Sequence, residues 1–168
     1  NAMTFEAFDE QGELLGSRTF FSIGGGAIRE LGEEDKESDA VYPLTTVKEI
    51  MDYCSQKGIT YWEYVVECEG QTIFDFLETV WDTMETAVKR GLENQGVLPG
   101  SIGLSRQAWR FHRRCQNASS EMQQTGLITA FALAVSEENA GGGIIVTSPT
   151  CGASGVVPAV LYYLQQQQ

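Results

Sequence analysis

The chain has 168 residues, 42% apolar and 20% charged, enough for a buried core in one ordinary domain or in parts of two. Lys and Arg total 11 against 23 Asp and Glu, so the formal charge is −12. Without a basic patch, such a surface excludes nucleic acid and anionic membranes as partners, though small anions can still bind locally.

Asn1 and Ala2 before Met3 read as an expression remnant and are set aside. No signal peptide is visible, and the longest apolar run, Leu127 to Val135, is too short to cross a bilayer. Cys54, Cys68, Cys115 and Cys151 are scattered, with His112 as the lone histidine. That spacing supports neither a zinc site nor a disulfide scaffold and implies a reducing cytoplasm.

Thr4 to Phe8 and Leu14 to Phe21 flank a polar turn at Asp9 to Gly12, which predicts a β-hairpin. The second strand runs into Ser22, Ile23, Gly24, Gly25 and Gly26, either a bulged edge or a backbone surface for a ligand. Arg29 to Asp39 has little to bury and reads as a solvated loop.

Thr46 with Glu49, and Thr60 with Glu63, match capping boxes, predicting helices over about 47–57 and 61–68 that stop at Gly58 and Gly70. From Thr72 a longer helix carries Ile73, Leu77, Val80, Trp81, Met84, Val88 and Leu92 as a stripe facing the core. Gly91 to Gly103, with Gly96, Pro99 and Gly100, reads as a linker at a domain or layer boundary. A helix from about Ser105 then presents Arg106, Arg110, Arg113 and Arg114 on an exposed face beside surface-lying His112. Ser120 to Asn139 is apolar all round in its middle, as in a helix buried on several sides.

Gly141, Gly142 and Gly143 follow, then Ile144 to Val146, the small residues Thr147 to Gly155, and an apolar segment with Pro158 in its first turn. Helix-start N–H groups have no intrahelical partner, and glycine permits close approach, so the geometry suits a carboxylate or phosphate. The alternative is a tight turn between two packed elements. No Gly-x-x-x-x-Gly-Lys motif and no dinucleotide fingerprint occurs.

Three blocks resemble the iron-sulfur-dependent L-serine dehydratases (L-serine ammonia-lyases): Phe20 to Gly26, Arg90 to Gly100, and Ala132 to Ala140 with Pro149 to Ala159. The resemblance implies an α+β, mainly α fold, an N-terminal β-hairpin followed by a helical bundle-like region. Residues 3–44 would end a small β-containing domain, and 45–168 would open the helical catalytic domain. It implies a lyase converting L-serine to pyruvate and ammonia, with a 4Fe-4S cluster as Lewis acid. Ser22, Gly24, Gly25 and Gly26 from one domain, and Thr150, Cys151, Gly152 and Ala153 from the other, would grip the substrate. The family's cluster cysteines lie further downstream, in motifs absent here, so no metal ligand is assigned to this chain. The chain then reads as an internal fragment, inactive alone, whose partners are L-serine, the remainder of the enzyme and further copies in a homo-oligomer. Self-association is expected through the Leu127 to Val135 face. The rival reading is a non-catalytic module binding a small anion or a subunit.

Overall fold

The computed structural model describes residues 2–24, 27–33, 40–116, 119–148 and 150–167, the side chains of Ser120, Glu121 and Cys151 excepted. The chain is mainly α with one small antiparallel sheet, the predicted class. It divides into two compact units, one comprising Asn1–Glu33 and Trp81–Gln168, the other Glu34–Val80.

The sheet holds β1 (Ala2–Phe8), β2 (Leu14–Gly24) and β3 (Ala27–Glu30) in that order. The hairpin closes because Asp9 Oδ1 accepts from the Gln11 and Glu13 N–H groups at 2.9 and 2.8 Å, while Gly12 takes φ +85°. Side chains of directly paired residues share a face, so Met3 and Phe20, with Ser22 and Ile28, lie together. Ala2 pairs with Phe21, so a residue set aside as a remnant belongs to the ladder. β3 overturns part of the solvated-loop expectation: Arg29 and Glu30 pair with Phe21 and Phe20, and Arg18 Nη1 meets Glu30 Oε2 at 3.2 Å. Residues 34–39 of that stretch lie outside the described residues.

In the second unit, α1 (Val47–Lys57) and α2 (Tyr61–Glu69) begin with both predicted capping boxes. Glu49 and Glu63 Oε2 accept from the Thr46 and Thr60 N–H groups at 2.9 and 2.7 Å, and the threonine hydroxyls accept in return. Hydrogen bonds from the threonines hold both carboxyls below the ordinary glutamate value. Gly58 ends α1 at φ +68°, and buried Tyr64 packs edge-on against Tyr53. α3 (Ile73–Glu93) starts in this unit and continues into the other.

The core of the first unit joins Ala87 and Val88 of α3, Phe131 and Val135 of α5 (Ser120–Ala140), and Ala159 and Tyr162 of α6 (Cys151–Gln165). Phe131 meets Tyr162 edge-to-face with centroids 4.9 Å apart. Small residues let these helices touch: a Cβ on Gly91 would collide with the Ala134 backbone, and one on Gly155 would lie 2.9 Å from the Ala132 carbonyl oxygen.

Several expectations are corrected here. The α3 stripe is not core-facing throughout, since Leu77 is exposed while Val88 is fully buried. Ala130, Phe131, Ala134 and Val135 are sealed within the chain, so that α5 face is not free for self-association; Val156, Val157 and Leu161 of α6 are exposed instead. Residues 91–103 form no linker between units. They finish α3 and fold into a loop closed by Leu98 N–H to the Leu104 carbonyl (2.8 Å) and Arg106 N–H to Gly96 (2.9 Å). Pro158 lies in the interior of α6, not its first turn, because the helix starts at Cys151.

Candidate functional site

The predicted site residues fall into two groups. Ser22 and Gly24 lie at the end of β2, where the register shifts and Gly24 takes φ +99°. Ser22 lines a groove of about 440 Å³ with Met3, Phe5, Phe20 and Ile28. Gly25 and Gly26 lie outside the described residues. Thr150, Cys151, Gly152 and Ala153 start α6, with Thr150 as its N-cap and its Oγ1 accepting from the Ala153 N–H at 3.1 Å. Each group is gathered by its own element. The first-turn N–H groups of α6 point out of the helix end, a geometry that takes an anion.

The glycine run before α6 is explained by the end of α5. Gly142 takes φ +76°, its N–H donates to Asn139 at 3.2 Å, and the Gly143 N–H donates to Glu138 at 2.8 Å. These two bonds make a Schellman motif, which requires a left-handed residue at Gly142. The chain leaves α5 in a fixed direction as a result.

Beneath this turn sits an ion cluster that the sequence reading missed. Glu138 is buried, and its Oε1 accepts from Asn94 Nδ2 (2.7 Å) and Arg106 Nη1 (2.8 Å), while its Oε2 pairs with Arg90 Nε. Arg90 Nη2 donates onward to the Ile144 carbonyl at 2.7 Å. Burial raises the Glu138 carboxyl, but hydrogen bonds from Arg90, Asn94 and Arg106 outweigh it and hold the group below the ordinary 4.5. Arg106 therefore does not lie on an exposed basic face. It precedes α4 (Ala108–Cys115), and its side chain is 11% exposed.

Glu137 is also buried. Its Oε1 accepts from the Gln107 and Ala108 N–H groups at 2.5 and 3.1 Å and so caps α4, where Gln107 makes no side-chain cap; among the described residues its Oε2 has no hydrogen-bond partner. Two carboxylates closing an apolar helix were the legible signal. Acidic groups there need partners from elsewhere in the chain. His112 is half-buried against Phe131, centroids 5.8 Å apart, and burial lowers its proton affinity.

Cys54 and Cys115 are buried thiols, Cys68 is half-buried, and no group of three His, Cys, Asp or Glu side chains able to hold a metal gathers among the described residues. These donors do not fit an iron-sulfur cluster. No described helix is long and apolar enough to cross a membrane.

A family model described as serine dehydratase alpha chain matches residues 21–168. The chain is similar to the L-serine dehydratase of Haemophilus influenzae, 37% identical over 99% of this chain and 39% of that protein. Similarity to L-serine dehydratase 1 of Escherichia coli is 35% over 97% of this chain and 38% of that protein, and to the Streptomyces coelicolor L-serine dehydratase 33% over the same shares. The chain thus spans under two fifths of the length of these relatives. With its family matched from the end of the sheet through α6, this chain belongs to the serine dehydratase alpha chain family.

Proposed function

We propose that this chain is part of an L-serine dehydratase, the lyase that takes L-serine to pyruvate and ammonia. The observation that carries the reading is overall identity above 30%, over nearly the whole chain, with proteins of that name. Residues 3–44 end the small β-containing domain, and residues 45–168 open the helical one. The substrate carboxylate lies against the N–H groups of Cys151 and Gly152 at the α6 end, with Thr150 holding that turn. Ser22 and Gly24 supply a hydroxyl and an accessible backbone from the sheet. The reaction removes the α-proton and the β-hydroxyl of serine as water. The aminoacrylate left behind tautomerises to an imine, and water then releases ammonia and pyruvate. The 4Fe-4S cluster implied by the resemblance is held by residues outside this chain, and no step here is assigned to it. Free thiols support a reducing cytoplasmic setting, and exposed apolar residues on α6 support association with further chain.

The test is anaerobic reconstitution with iron and sulfide, followed by absorption spectra and a pyruvate assay. The expected result is pyruvate from the longer protein containing this segment, with neither bound iron nor pyruvate from the 168-residue chain. A longer protein that loads iron but forms no pyruvate from L-serine overturns the reading.

A further inference from the structure

Residues 141–148 carry no regular structure, yet they deliver the chain to the first turn of α6. Beside the Gly142 N–H bond to Asn139 and Ile145 packed on the core, two of their anchors run through one residue. The Glu138 carbonyl accepts the Gly143 N–H, and the Glu138 carboxylate orients Arg90, whose guanidinium takes the Ile144 carbonyl.

The backbone lies directly on this cluster. A Cβ on Gly143 would sit 2.7 Å from Glu138 Oε2 and 3.0 Å from Arg90 Nη2, and one on Gly141 would sit 2.5 Å from Arg106 Nη2. The far end of the loop is fixed as well, because α6 lies so close to α5 that a Cβ on Gly155 would sit 2.8 Å from Ser136 Oγ and 2.9 Å from the Ala132 carbonyl oxygen.

Three donor side chains converge on one buried carboxylate, two of them guanidiniums. Ending a helix does not require this, since the Schellman bonds already do so. Nor is it efficient for stability, because apolar replacements of a buried ion cluster are often as stable or more so. What the cluster supplies is a fixed geometry, with directional bonds joining α3, the segment before α4, the end of α5 and the loop.

Resting on the L-serine reading above, we infer that Glu138 and Arg90 are positioning residues for the substrate site: they set the path of residues 143–148 and hence the placement of the Thr150 to Ala153 turn. Neither is assigned contact with substrate.

The test compares the parent chain with Arg90→Lys, which keeps the charge but loses the fork joining Glu138 to Ile144. Three readouts are taken: the thermal midpoint, amide hydrogen exchange by segment, and L-serine affinity by titration. The expected result is a midpoint close to the parent's, faster exchange confined to 143–153, and serine affinity weakened about tenfold or more, the scale of a small misplacement. Glu138→Gln repeats the measurement from the other side. If that variant fails to fold, Gly143→Ala displaces the loop with every charge retained.

Unchanged loop exchange and unchanged affinity in Arg90→Lys overturn the inference. So does exchange that rises equally through α3 and α5, which marks a merely structural role. A parent chain that binds no L-serine counts against the substrate reading instead, and segment-resolved exchange then decides the positioning claim alone.

Discussion

The sheet and the helical core of the first unit both carry large apolar residues, but use them oppositely. Phe5 is 57% exposed and Leu15 70%, while Phe131 and Val88 are sealed completely. The sheet is ordered by its ladder, by Asp9 in the turn and by the Phe5–Phe20 edge contact. α3, α5 and α6 are ordered by side chains removed from water. Backbone hydrogen bonds replace bonds to water and stabilise modestly, whereas buried apolar area is the larger favourable term. The helical part is therefore expected to dominate stability, with the sheet open to a covering surface.

The strongest test of that contrast is Phe131→Ala, which empties the centre of the core and is expected to cost about 3–5 kcal/mol in urea unfolding. Gly91→Ala follows, because its Cβ meets the Ala134 backbone; about 1–3 kcal/mol is expected, read from the same transition. Thr150→Ala removes the N-cap of α6 and is expected to cost about 1 kcal/mol while weakening L-serine binding. Leu15→Ser on the open sheet, at a side chain 70% exposed, is expected to change stability by less than about 0.5 kcal/mol. A large loss there would show that the sheet's apolar face is covered and would dissolve the contrast.

Acid titration sharpens the same picture. His112 and Glu138 both have folded-state pKa values below their ordinary 6.5 and 4.5. For each, the unfolded chain binds protons more readily, so stability falls as the pH drops below those ordinary values. Thermal midpoints are expected to decline first below about pH 6.5 and again below about pH 4.5, and His112→Gln should flatten only the first decline.

What the sequence made legible was local. The capping boxes at Thr46 and Thr60 and the stops at Gly58 and Gly70 are decided within one or two turns of chain, and they stand as predicted. The hairpin was legible because the Asp9 turn needs only its neighbours. β3 was not, since a charged four-residue strand exists through its pairing with β2. Pro158 is deceptive because proline favours first turns, yet here it lies inside α6, whose start is fixed by the Thr150 cap eight residues before it. Charge spacing alone puts Arg106 on an exposed face, whereas it is largely buried against Glu138, 32 residues away in the chain. For the candidate site, the loop and the α6 start were visible in the glycines and hydroxyls, while the cluster beneath them depends on distant partners.

The central claim is that the α6 start, held by the loop below it, receives L-serine. Titration of the isotopically labelled chain with L-serine, followed by amide NMR, tests it most directly. The account predicts saturable shifts at Thr150, Gly152 and Ala153 and at Ser22 and Gly24, with little response to D-serine. Shifts absent from the α6 start at saturating L-serine, or equal for the two enantiomers, would contradict it.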